Sequence, residues 1–155
     1  TYRFPISGEQ EQMILSCKAP FANEAFTSNL EILLKKNVDY IALQEAIAAI
    51  VRRHETLRTS FTMEEGKEEG RVEIQQVVKP ARRAKEVARV IDASGGIEKA
   101  REAMRRSCTG KAIEVLSGEA PSRFEIALAD DGSVVLGVSM HHVCYDGFSF
   151  ETLGK

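Results

Sequence analysis

Two apolar runs, RFEIALA and SVVLGVSM, are joined by Asp130-Asp131-Gly132 near the C-terminal end of a 155-residue chain. An Asp-Gly pair between apolar runs is a strong β-hairpin signal, because the turn needs a residue that tolerates positive φ. The second run does not alternate. Val134, Val135, Leu136 and Val138 place apolar side chains on both faces of the strand, so it must lie inside a sheet covered on both sides. This hairpin constrains the fold most: helices elsewhere in the chain have to supply the covers.

The remaining sequence provides candidates. Ser7 is positioned to cap a helix from about Gly8. NLEILLKK reads as a strand before an Asn-Val-Asp turn, and Asp39 caps a helix whose Leu43, Ile47, Ile50 and Val51 form one buried face. From Leu57 the pattern alternates, with Leu57, Thr59 and Phe61 on one side and Arg58, Ser60 and Thr62 on the other. RVEIQQVV, with Val72 and Ile74 on one face, completes a second hairpin across the charged loop EEGKEEG. Helices are predicted around 81–92 and 97–107, separated by Ser-Gly-Gly. The expected fold class is α/β, a two-layer α+β arrangement with a mixed β-sheet packed against helices, and 155 residues suit one domain.

A net charge of −2 with no long basic block gives no basis for nucleic-acid binding. No apolar run approaches the roughly eighteen residues that span a bilayer, so no membrane partner is expected, and no signal peptide opens the chain. Cys17, Cys108 and Cys144 are odd in number and widely spaced, which suits reduced thiols in the cytoplasm. A first residue of Thr1 suggests a piece of a longer chain.

SMHHVCYDGFSF concentrates the chemistry. His141 and His142 close the predicted central strand, where a rigidly held imidazole with a pKa near about 6.5 can act as a general base. Asp146, four residues on, can orient the ring or tie the turn to a distant cation, and Gly147 permits a sharp turn or close approach of a substrate. Three other readings compete. Cys144 and His142 could form a thiol–imidazole nucleophile, but no orienting third group or oxyanion loop is visible. His141, His142 and Asp146 could bind a metal, but adjacent strand residues point to opposite faces and chelate poorly. Both histidines could also be hydrogen-bonded parts of the core.

HHVCYDG resembles the HHxxxDG signature of the chloramphenicol-acetyltransferase-like acyltransferases. RHETLRTSF, Arg53 to Phe61, is nearly identical to the second core motif of one branch, the condensation domains of nonribosomal peptide synthetases. PISGEQEQMIL is a weaker match to their first motif, keeping Ser7, Gln10 and Met13 but with Gln12 where arginine is common. KAIEVLSGEAPSRFEIAL occupies the place of their Phe-Asp-Leu…Pro segment, with Ile113-Glu114 in place of Phe-Asp. These departures suggest a divergent member, from a hybrid polyketide–peptide synthase or a fungal system.

The resemblance implies that residues 1–155 are the N-terminal subdomain of a condensation domain, with the C-terminal half absent and the fragment inactive alone. It implies amide formation between a donor thioester and an acceptor amine carried on phosphopantetheine arms, with no cofactor bound directly. The implied partners are upstream and downstream peptidyl or acyl carrier proteins, the missing half-domain and an adjacent adenylation domain. His142 is then the catalytic histidine, as base or positioner, and His141 packs away from the cleft. Gly147 keeps the strand end open. Asp146 is structural, paired with Arg58 or, alternatively, Arg53. An ester-forming acyltransferase and a non-catalytic docking module on the same fold are the alternatives.

Overall fold

The computed structural model of the chain describes residues 1–66, 72–146 and 149. The hairpin that dominates the sequence forms as β6 (Ser122–Ala129) and β7 (Val134–His141), turning at Gly132 with φ +79°. Here β7 is indeed internal. It pairs antiparallel with β6 on one edge and with β2 (Thr27–Leu34) on the other, in a four-stranded sheet ordered β2-β7-β6-β5, where β5 is Ala88–Ala93. A second sheet, ordered β1-β4-β3, contains β1 (Tyr2–Pro5), β3 (Thr59–Glu65) and β4 (Val72–Val78), all antiparallel.

Both faces of the four-stranded sheet are covered, as the unbroken apolar run of β7 requires. On one side Val134, Val138 and Met140 join a large core with Ile47, Val51, Leu57 and Phe61. On the other, Val135 and Ala127 meet Ala100 and Met104 of α5 (Ile97–Met104). Gly137 makes that approach possible, since a Cβ there would stand 2.1 Å from the Met104 sulfur. Any larger side chain there would force the buried Met104 side chain to move.

Local signals set the two predicted N-terminal helices. α1 (Gly8–Ser16) starts at a Ser7–Gln10 capping box, and α3 (Tyr40–Arg53) starts where the Asp39 carboxylate accepts from the amides of Ile41 and Ala42. A short α2 (Ala22–Phe26) leads into β2.

Two expectations are corrected. The helix expected over 81–92 is one turn, α4 (Ala84–Val87), followed by β5 (Ala88–Ala93), which runs parallel to β6. Alanines interleaved with charges read as helix locally, but Ala88 and Ala93 are buried in the sheet, and Val90 and Ile91 are β-branched. The second predicted helix is present over its expected span, as α-helix to Met104 and then a π-turn over Arg105–Thr109. Finally, Leu57 and Arg58 belong to a 3-10 turn (Glu55–Arg58), so the strand begins at Thr59; Val72 shares the Ile74 face as expected and is exposed there at the strand end. Most of EEGKEEG, and FSFETLGK apart from Ser149, lie outside the described residues.

Candidate active site

The ladder of β7 ends at His141, opposite Thr27 of β2. Backbone bonds then hold the next residues from both neighbours: the amide of His141 donates to Pro121 at 2.9 Å, just before β6, and that of His142 donates to Phe26 at 2.8 Å, just before β2. The Cys144 amide returns to the His141 carbonyl and closes a turn. Both histidines are therefore fixed at their backbones.

Their side chains differ sharply. His141 is fully buried. The Val143 amide donates to its Nδ1 at 3.1 Å, so Nε2 carries the proton and faces the Cys17 sulfur at 3.4 Å. Burial, with the nearby His142 charge second, pushes its pKa down to about 4. A neutral imidazole that uses both nitrogens internally is part of the core. His142 is only partly buried. Its ring stacks on Tyr145 with centroids 4.5 Å apart, and its Nε2 lies 3.2 Å from the Tyr145 hydroxyl. The two rings thus engage different partners, which is poor geometry for sharing one ion. Among the described residues, no three His, Cys, Asp or Glu side chains cluster as a metal site would require.

Cys144 is equally informative. Its thiol donates to the carbonyls of His141 at 3.1 Å and Pro121 at 3.4 Å, and burial pushes its pKa up to about 12. A thiol held protonated is a poor nucleophile. The thiols of Cys17 and Cys108 are also raised by burial.

Asp146 accepts from the amide and hydroxyl of Ser149, at 3.0 and 2.8 Å, in the manner of a helix cap. Arg58, expected to face Asp146 across a strand, lies instead in the 3-10 turn, where its guanidinium pairs with Glu55 and donates to the Lys79 carbonyl. Arg53 ends α3 and is exposed. Gly147 lies outside the described residues. The RHETLRTSF segment does reach the histidine turn, but through Thr56, whose hydroxyl donates to the Cys144 carbonyl at 3.1 Å. Thr56, Cys17 and Ser28, whose Oγ meets the Tyr145 hydroxyl, were not singled out by sequence reasoning. They act over separations of 88, 124 and 117 residues, with no local signal. Tyr145 sits inside the motif and could have been found there.

A cavity of about 640 Å³ lies beside β5 and β6, lined by Lys79, Arg82, Arg89, Arg123 and Glu125 among others. None of residues 141–146 lines it. Its buried Glu125 is neutralised by Arg89 at 2.5 Å, while Lys79 and Arg123 donate to backbone carbonyls. Those groups brace loops. The reactive candidate is the half-exposed strand end instead.

Residues 3–155 match the family model of the Condensation domain, and the chain belongs to that family. Bacitracin synthase 2 of Bacillus licheniformis is 29% identical over 153 residues, which is 98% of this chain and 5% of that protein. The condensation domain of the monacolin K polyketide synthase MokA superposes over 99% of this chain and 33% of its own, with a TM-score of 0.73 and 18% identity. The X-domain in complex with OxyB from teicoplanin biosynthesis superposes with a TM-score of 0.72 and 20% identity, over 99% of this chain and 31% of that one. The chain thus spans about a third of the solved chains it resembles and a small fraction of the synthase. The expected fold class, α/β with a mixed sheet packed by helices, holds. No helix among the described residues is long and apolar enough to cross a membrane.

Proposed function

We propose that residues 1–155 form the N-terminal subdomain of a condensation domain that joins two carrier-bound substrates, with His142 at the reacting centre. The observation that carries this reading is the contrast at the strand end: His141 is sealed into the core, whereas His142 is backbone-anchored, partly exposed and stacked on Tyr145. The acceptor amine attacks the donor thioester carbonyl. The C–N bond forms, the C–S bond breaks, and the donor thiol leaves. His142 takes the proton of the attacking amine or positions it. The thioester is already activated, so alignment of two tethered groups supplies much of the rate.

Both substrates arrive on phosphopantetheine arms, from an upstream and a downstream carrier protein, in a cytoplasmic synthase with an adjacent adenylation domain. The role of Asp146 is structural, anchoring the turn through Ser149 and, in the intact domain, through Arg58 or Arg53. Gly147 keeps the strand end open. The 155-residue chain alone forms no product, because a second half-domain completes the cleft.

The test is single-turnover condensation by the intact parent enzyme with loaded carriers. His142→Ala lowers product formation roughly a hundredfold to ten-thousandfold, the usual scale for a general acid–base group, with little change in melting. Asp146→Ala lowers melting and activity together. Full activity in His142→Ala would overturn the reading. It would favour a non-catalytic recruitment module, the second reading, which the similarity to an X-domain seen in complex with another protein supports.

A further inference from the structure

RHETLRTSF touches the histidine turn through one hydroxyl. Thr56, in the 3-10 turn Glu55–Arg58, donates to the Cys144 carbonyl at 3.1 Å. A carbonyl has no proton to give, so the direction of this bond is fixed. No other group among the described residues donates to that carbonyl.

The 3-10 turn is itself held from several sides. The Leu57 amide donates to the His54 carbonyl, and the Leu57 carbonyl accepts from the Ser122 hydroxyl at the start of β6, at 2.7 Å. The Thr59 hydroxyl donates to the Glu55 carbonyl at 2.8 Å. Just past β4, the Lys79 amide donates to the Arg58 carbonyl at 3.1 Å. The Leu57 side chain is buried in the core. Thr56 thus stands on a braced hub, although its own side chain is exposed.

The histidine turn is fixed at its entry by amides: those of His141 and His142 donate to Pro121 and Phe26, and that of Cys144 closes onto His141. Its exit is the Cys144 carbonyl, two residues past His142. That is the group Thr56 holds. If the exit swings, the peptide units between it and His142 turn with it and carry the imidazole out of line. Small misplacements of a reacting group are costly.

We infer that Thr56 is a positioning residue: its hydroxyl pins the exit of the histidine turn to the 3-10 hub and so keeps the His142 imidazole aligned for condensation. This rests on the function proposed above. It links RHETLRTSF to the reacting centre by a route independent of Arg58 and Arg53.

Condensation by the intact parent with loaded carriers is measured for Thr56→Val, Thr56→Ser, His142→Ala and the Thr56→Val/His142→Ala pair. Valine keeps the branched shape and removes the hydroxyl, and at an exposed position it leaves no void, so melting changes little. Thr56→Val lowers kcat roughly threefold to tenfold, the scale of one net hydrogen bond, with KM nearly constant. Thr56→Ser restores the wild-type rate. Without His142, Thr56→Val has no further effect, whereas independent contributions would add. In the 155-residue chain carrying 13C-labelled histidine, Thr56→Val moves the His142 ring signals more than those of His141, and Thr56→Ser returns them.

With His142→Ala impaired, three results overturn the inference: a wild-type kcat in Thr56→Val, a loss that serine does not restore, or an equal loss with and without His142. Unmoved His142 signals overturn it in every case. If His142→Ala condenses at the wild-type rate, the proposed function fails, and the ring signals alone decide the positioning.

Discussion

His141 and His142 share a peptide bond and differ in nearly every physical respect. The first ring is sealed between the end of α1 and the β7 turn, with both nitrogens used and its charge suppressed. The second is stacked on one face by Tyr145, meets the Tyr145 hydroxyl at Nε2 and is only partly buried. The alternation of a strand supplies half of this difference, since successive side chains leave on opposite sides. The end of the ladder supplies the rest: His142 lies one residue past β7, where the sheet no longer covers it. A doubled histidine at a strand end is therefore one structural residue and one available residue. Neither substitutes for the other.

The largest expected stability effect tests the buried member. His141→Ala removes a fully buried ring and leaves the Val143 amide without its acceptor. The void and the unpaired donor together cost about 3–5 kcal/mol, a large part of a typical domain's stability. Urea unfolding of the chain measures it. His142→Ala in the same assay changes stability by less than about 1.5 kcal/mol, the order of one hydrogen bond. Equal losses for the two variants would erase the contrast on which the site assignment rests.

Acid sharpens the same comparison. His141 is neutral when folded until pH falls to about 4, whereas in the unfolded chain it protonates near its ordinary value of about 6.5. Between these values the unfolded state binds more protons, so stability rises with pH and is lost progressively as pH falls from about 6.5 to about 4. The contribution is about 2–3 kcal/mol across that window. His141→Gln, which cannot protonate, flattens this part of the stability curve. An unchanged slope would mean that the ring is not held neutral in the fold.

Much of this was legible locally, and the failures share a cause. The Asp131-Gly132 turn, the Asp39 cap and the Ser7 cap each depend on neighbours a few residues away, and each formed where expected. By contrast, β5 is a strand because β6 lies beside it, through a register that runs from Ala88 opposite Phe124 to Ala93 opposite Ala129. The charged and alanine-rich residues around it pull the local reading toward helix. Arg58 was placed by strand alternation, but the 3-10 turn at Glu55–Arg58 breaks that period before the strand starts. At the site, the motif named both histidines, and the residues that distinguish them came from elsewhere: Cys17 from the end of α1, Ser28 from β2 and Thr56 from the 3-10 turn. Spacing reveals which residues carry chemistry. It does not reveal which partners set their protonation.

The smallest expected effect concerns the third reactive group of the turn. Cys144 is 7% exposed, and its thiol points to two carbonyls that already have stronger donors. The Cys144 amide serves His141 at 3.0 Å, and the His141 amide serves Pro121 at 2.9 Å. Cys144→Ala therefore orphans no acceptor. What it loses is the packing of one sulfur in a turn anchored by Thr56, worth about 1 kcal/mol, or a fall in melting temperature of about 2–4 °C for a chain of this size. Because burial holds the thiol protonated, with a pKa near about 12, native Cys144 should resist alkylation at pH 8 and react only after unfolding. Condensation by Cys144→Ala in the intact parent should match the wild type within about twofold, since the substitution leaves His142, Tyr145 and Ser28 untouched. A variant that folds normally but fails to condense would move the chemistry from the imidazole to the sulfur, and His142 would become the base that serves a thiol.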